Sequence, residues 1–267
     1  MLPGFRISLS YTLLYMTLLV FIPLAACFLR ASTLTFNEFW TAVWNDRARA
    51  AYYVTFGTSL VAAIIDVLLG LLIAWALVRY EFPGKRLFDS LIDLPFALPT
   101  SVAGLVYGTI YSEHGWLGQY LYPLGIQLAY SRAAIVFVLT FIGLPFLVRT
   151  IQPVLETFET EQEEAAASLG ATRWQTFRHV ILPTLYPAII TGFALAFARG
   201  LGEYGSVVFV SGNKPMETEI APVLIVARLE EFAYGEATAI AVVLLVISFT
   251  MLIVINWLEH RSKRNAA

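Results

Sequence analysis

A chain of 267 residues that is 58% hydrophobic and 13% charged, with a mean hydropathy of +0.72, is composed for lipid; soluble domains carry about 25% charged residues. A net charge of −2 excludes the broad basic surface that nucleic acid attracts. One cysteine, Cys27, excludes an internal disulfide and a cysteine metal site, and His114, His179 and His260 share no ligand spacing, so no metal is expected.

Span one is predicted over residues 9–29. Leu24-Ala25-Ala26-Cys27 has the form of a lipoprotein cleavage box, but the apolar run of about 20 residues exceeds a signal core and suffices to span, so a retained helix is expected. Cys27 is then a small apolar residue near the outer surface. Residues 30–53 include Trp40, Trp44, Tyr52 and Tyr53, side chains suited to the membrane interface. Span two is predicted over 54–78 and contains Asp66. An acid is costly in lipid, and a carboxylate paired with neighbouring helices is favoured over one lining a pathway.

Residues 79–89, RYEFPGKRLFD, make a short basic turn on Pro83-Gly84. Span three is predicted over 91–109, with Asp93, Pro95 and Pro99 at its start. Two prolines four apart free backbone carbonyls that protein or water must satisfy. The start is therefore expected to be irregular, either a proline-capped helix or a broken one facing a pathway. Residues 112–132 form an outer loop, and span four, over 133–148, is interrupted by Gly143 and Pro145.

The longest polar-rich stretch, residues 160–183, follows span four and reads as two short helices. Thr160 with Glu163, and Thr172 with Gln175, have capping-box spacing. Gly170 falls where the first helix stops, as a left-handed cap. Pro183 is expected to end the second, since Leu182 before it is biased away from helical angles. Ala165, Ala166 and Ala167 keep the first helix slim. Trp174, Phe177 and Ile181 give the second an apolar stripe between Arg173, Arg178 and His179. The pattern fits an amphipathic loop on the membrane surface and equally a bihelical knob that docks a partner protein.

Span five is predicted over 185–201, with Ala188, Gly192, Ala196 and Gly200 on one small-residue face for close helix packing. Residues 202–233 form a loop with a short apolar stretch at 207–210 and a turn at Gly212-Asn213-Lys214-Pro215. Span six is predicted over 237–258, followed by Arg261, Lys263 and Arg264. With the N-terminus inside, ten Lys and Arg lie on the inner face against six outside, with Arg199 left over. That bias agrees with six spans and both termini in the cytoplasm.

Arg199 and Glu203 are four apart near the outer end of span five, close enough to pair if the helix continues through Gly200 and Gly202. They read either as a self-neutralising pair at the membrane edge or as a cation shown to an anion and oriented by Glu203. Gly200, Gly202 and Gly205 let the backbone bend there, as at a gate. No GxxxxGK[ST] stretch is present, so no ATP binding through a Walker motif is expected. An intramembrane protease would need paired aspartates, a serine–histidine pair or HExxH. Asp66 stands alone near mid-span, Asp93 is at a membrane edge and HExxH is absent, so no catalytic residue is expected. A secondary carrier acting alone would show inverted halves and ion-coupled charges; no internal repeat is evident.

Glu164-Ala165-Ala166, then Gly170, Val180 and Leu182-Pro183, resemble the EAA loop of ABC-importer permeases, with valine at 180 where that family favours isoleucine. Asp93 to Thr100 (DLPFALPT), Pro145 to Glu156 (PFLVRTIQPVLE), Leu169 to Thr176 (LGATRWQT) and Leu201 to Gly205 (LGEYG) resemble sulfate/thiosulfate ABC permeases of the T type. The resemblance runs from about Ala51 onward, and the first fifty residues match only as a span plus loop. The EAA and GEYG elements are shared with molybdate permeases and with the W-type sulfate partner, so molybdate or tungstate stays open as the anion.

The resemblance implies an all-α polytopic membrane protein, a single permease domain over 1–267 with the six-helix, MetI-like fold of type I importers. It implies a coupling loop shaped by Glu164, Ala165, Ala166 and Gly170, ended by Leu182 and Pro183, and seated in a cleft of a cytoplasmic ATPase. It places Arg199, Glu203 and Gly205 near the pathway or its outer gate, with Pro95 and Pro99 as further pathway candidates. The implied partners are two ATPase subunits, a second permease (W-type, otherwise a second copy), a periplasmic sulfate-binding protein and the lipid of the inner membrane. No cofactor is expected in this chain, ATP with magnesium belonging to the ATPase.

Overall fold

The computed structural model describes residues 4–266, and their regular structure is entirely helical. Helix α1 (Phe5–Met16), a π turn (Thr17–Phe21) and α2 (Ile22–Ala31) form one apolar rod. Short α3 (Phe36–Val43) leads to α4 (Asp46–Arg79), of 34 residues. Three short pieces follow: α5 (Lys85–Ile92), α6 (Leu94–Ala97) and α7 (Thr100–Tyr111). After α8 (Gly118–Leu121) comes α9 (Arg132–Glu156), then α10 (Thr160–Ser168) and α11 (Arg173–Thr176), which form a knob. A second π turn (Phe177–Ile181) opens into α12 (Leu182–Leu201). The chain ends with α13 (Val207–Val210), α14 (Ala221–Glu230) and α15 (Tyr234–Ala266). Arg261, Lys263 and Arg264 fall in the last turns of α15, where side chains lie outside the described residues.

Local chemistry starts these helices. Asn45 accepts the Ala48 N–H at 2.8 Å to cap α4, and Ser131 accepts that of Ala134 at 3.2 Å to cap α9. Thr35 and Glu38 form a reciprocal capping box on α3. There the Thr35 N–H and then its hydroxyl hold the Glu38 carboxyl below the usual range.

Five helical rods among the described residues are long and apolar enough to cross a membrane: 5–31, 46–79, 132–156, 173–201 and 234–257. Predicted span three is the exception, because it is broken into α5, α6 and α7. Predicted span four, by contrast, is longer than its sequence pattern. Helix α9 runs on to Glu156 through Pro145 and Pro153. Leu147, Val148, Ile151 and Leu155 stay buried past the first proline, so packing against neighbouring helices overrides the local break.

Pro183 does not end the second helix of the knob, as its sequence suggests. The chain stays helical from Arg173 to Leu201. Proline lacks an N–H, and its ring crowds the carbonyl four residues back. The helix answers by widening: Leu182, just before the proline, donates to the Phe177 carbonyl five residues back. The same arrangement recurs in the first rod, where Ile22 precedes Pro23 and donates to Thr17.

Helices α4, α9 and α12 pack together as the core. Small residues set their separation. A Cβ on Gly70 would lie 2.5 Å from Leu147 Cβ, and one on Gly200 would lie 3.1 Å from Ser59 Oγ. Gly192 approaches Thr150 and Leu147, and Ala196 is buried. The small face predicted on span five is thus the face that meets α4 and α9. Helix α15 flanks this core and carries α2, α3 and α14 on its other sides.

Candidate functional site

The knob is built from caps. At the end of α10 the Gly170 backbone is left-handed, with φ +82. Its N–H donates to Ala167 O at 2.9 Å, and that of Ala171 to Ala166 O at 3.0 Å, which together close a Schellman cap. The second helix starts with the predicted box: Thr172 N–H donates to Gln175 Oε1 at 2.8 Å, and Gln175 N–H to Thr172 Oγ1 at 3.3 Å. The first predicted box does not form. Glu159 occupies the cap position without a side-chain bond, and Glu163 pairs with Arg79 of α4 instead. A guanidinium is a stronger partner for a carboxylate than a backbone N–H.

That ion pair belongs to a joint between knob and bundle. The Arg79 guanidinium lies 5.1 Å from the centre of the Trp75 ring. Trp75 meets Phe177 edge-on at 5.6 Å, and Phe177 stacks on Trp174 at 5.6 Å. Ile181, at the base, is buried, and Leu182 and Pro183 form the first turn of α12. The outer surface of the knob is left bare: Leu169 is 90% exposed and Trp174 67%. Glu164 and Ala165 are exposed and Ala166 half-buried. A cleft of about 360 Å³ runs under the knob between Glu163, Glu164, Arg173 and Phe177.

The second constellation lies at the other end of α12. The helix stops at Leu201 rather than running through Gly202, yet Arg199 and Glu203 still pair, Nη1 to Oε2 at 2.5 Å. Glu203 is 2% exposed. Its Oε1 accepts both the N–H and the hydroxyl of Ser206, each at 2.9 Å. The carboxylate is therefore fully occupied and fixes a guanidinium whose side chain is 34% exposed. Gly205 sits against the start of α7, where a Cβ would be 2.5 Å from Thr100 Oγ1. Pro99 caps that helix, and Leu98 and Pro99 are extended (ψ 135 and 129) between α6 and α7. The break after span five and the break within span three thus abut. Pro95 is one short helix away, in the first turn of α6, where a missing N–H costs nothing.

Asp66 does not pair as its sequence context suggests. It is buried, and its Oδ1 has no hydrogen-bond partner among the described residues. Gly143 of α9, which lies against its carboxylate, offers no side-chain donor.

Two polar ties escape the sequence reading. Arg149 of α9 clasps Asp93 with two bonds, at 2.9 and 2.6 Å, and reaches Asp89 at 2.6 Å. The signal was present, since these residues sit in or beside two of the stretches that carry the T-type resemblance, Asp93 to Thr100 and Pro145 to Glu156. Arg47 holds Glu219 with two bonds of 2.8 Å across 172 positions, a pairing no local pattern announces.

Comparison with known proteins fits this architecture. Residues 66–264 match the family described as "Binding-protein-dependent transport system inner membrane component". The chain is 51% identical over 257 residues to the sulfate transport system permease protein CysT of Synechococcus elongatus, covering 96% of this chain and 92% of that one. It is 45% identical over 263 residues to the CysT protein of Escherichia coli (strain K12), covering 98% and 95%. Among solved structures, a bacterial ABC transporter involved in the import of the acidic polysaccharide alginate superposes with a TM-score of 0.80 at 16% identity, over 96% of this chain and 94% of that one. At that identity the likeness speaks for the fold. The chain belongs to the family of binding-protein-dependent transport system inner membrane components, among relatives named as sulfate-system permeases.

Proposed function

We propose that this chain is the T-type permease subunit of an ATP-driven importer of sulfate and thiosulfate. The knob carries the reading. It is capped at both helices, bolted to α4 by Arg79 and Trp75, and bare on its outer surface. A rigid exposed knob joined to a spanning helix is suited to receive a push from a partner. Glu164, Ala165, Ala166 and Gly170 then meet a cytoplasmic ATPase, and α12 carries the displacement from Leu182 and Pro183 to Arg199. Two ATPases, a W-type second permease and a periplasmic sulfate-binding protein complete the assembly. The knob and both termini lie in the cytoplasm.

Arg199 is the residue proposed to face the anion. A guanidinium one-third exposed on the side of a single chain is costly against hydrocarbon. A second subunit or a water-filled pathway relieves that cost. Glu203, Gly205 and the Pro95–Pro99 break hold Arg199 in place and leave the backbone free to bend beside it.

The test is capture of the tagged chain from native membrane in mild detergent, followed by uptake in vesicles. An ATPase and a different permease co-purifying, with ATP-dependent uptake of labelled sulfate inhibited by thiosulfate, is the expected result. Uptake suppressed by molybdate rather than thiosulfate reassigns the anion. Uptake by the chain alone, without ATPase, overturns the importer reading in favour of a carrier.

A further inference from the structure

The segment Lys85–Ala97 lies between two bends beside the three-helix core. No residue of α5 or α6 is buried. At one end the chain turns through Gly84, whose φ of +84 suits glycine. At the other end it turns through the extended pair Leu98 and Pro99. Between these turns the segment is undercut by a cleft of about 640 Å³, lined by Leu77 and Phe82 on one side, Lys85 and Asp89 on the arm, and Gln152 and Glu156 of α9. It is an arm with a bend at each end and open space beneath.

Few contacts hold it down. Ile92 touches the core, and Phe96 meets Phe146 edge-on at 5.2 Å. Lys85 pairs with Glu81 in the turn before the arm, and the polar fastening to a neighbouring helix is Arg149. Its guanidinium bonds Asp93 through both carboxylate oxygens, Asp89 through its carboxylate at 2.6 Å and its carbonyl at 2.8 Å, and Gln152 of its own helix at 2.8 Å. A planar fork spread over two turns of one arm fixes orientation as well as position, which a lysine would not do. These side chains are one-third to nearly half exposed, so water can compete for them and the fastening is reversible.

We propose that Lys85–Ala97 is the inner gate of the pathway and that Arg149 is its latch. With the latch closed, the arm lies on α9 and the inner mouth is shut. When the knob moves α4, the turn at Gly84 is displaced, Asp89 and Asp93 leave Arg149, and the arm swings about Leu98 and Pro99. Arg149 is a positioning residue and takes no part in binding the anion. The proposal rests on the importer reading, with the knob on the same side of the membrane as the arm.

The test uses the assembled importer in vesicles, with Cys27→Ser as background and Phe96→Cys with Phe146→Cys as a reporter pair. Bridging the pair with a short bifunctional thiosulfonate should abolish ATP-driven sulfate uptake, and reduction should restore it. In separate vesicles, Arg149→Gln should let sulfate leak down its gradient without ATP. Arg149→Lys, which keeps the charge without the fork, should leak less. Asp93→Asn guards against a folding defect at Arg149, since it keeps the Asp89 bond and should leak as well. A bridged complex that transports at the unbridged rate, or Arg149→Gln and Asp93→Asn vesicles as tight as the parent, overturns the gate while leaving the importer intact. Absence of ATP-driven uptake by the unbridged parent overturns both.

Discussion

The three-helix core and the arm beside it are held by opposite means. Helices α4, α9 and α12 meet through Gly70, Gly143, Gly192 and Gly200, where no side chain separates one helix from the next. The arm has no fully buried residue, and its polar tie to the core is a guanidinium. In a bilayer the hydrophobic effect does not drive helices together, so close packing and polar ties are the means available. Packing resists sliding and gives one answer. A polar tie opens and closes. The division points to which parts travel as a block and which parts bend.

Substitutions can break that comparison, starting with the core. Gly143→Leu forces a side chain into the space of Asp66 and Ala196 and should cost about 3 kcal/mol or more, read as a lowered melting temperature of the purified protein in detergent. Adding Asp66→Ala should recover part of the loss; an unchanged melting temperature in the single variant would mean the core yields as easily as the arm. Glu203→Gln should cost about 2 kcal/mol, because the bonds to a charged carboxylate weaken while its shape is kept. Its unfolding should shift less than that of Gly143→Leu, and uptake should fall.

Gly170→Val tests the knob. Nothing lies within 4 Å of a Cβ there, so the penalty of about 1–2 kcal/mol is backbone strain at positive φ and stays local. The bundle should insert and melt as before while ATPase binding and uptake are lost; normal uptake would remove the knob from the mechanism. The smallest effect is expected at Gly202→Ala, within about 0.5 kcal/mol, since that position is open. Gly205→Ala, against Thr100 Oγ1 at 2.5 Å, should lower uptake clearly more. Equal behaviour of the two alanines would deny that the two breaks touch.

The sequence was readable wherever a feature is local. The Gly170 cap, the Thr172–Gln175 box, the small face of span five and the irregular start of span three all follow from neighbours within a few residues. The Thr160–Glu163 box failed because Arg79, 84 positions away, offers Glu163 a charged partner. Pro183 misled for a related reason: a break signal assumes an unsupported helix, and here Ile181 and Leu185 are buried on either side of it. Asp66 was expected to find a partner because acids in membranes usually do, and no local pattern reveals that Gly143 lies against it. The Arg199–Glu203 pair was legible from spacing, while the grip of Ser206 on Glu203 needed the turn at Gly202 to become visible.

The π turn at Phe177–Ile181 sets an angle as well as a length. A helix advances about 100° per residue, so the extra residue lodged there fixes the direction in which Trp174 and α10 face around the axis of span five. Removing one residue from this turn would restore an ordinary helix and turn the knob by roughly a quarter of a circle, away from Arg79. The proline behind it thus serves as a phase marker: it keeps the wide turn in place and, with it, the compass bearing of the surface offered to a partner.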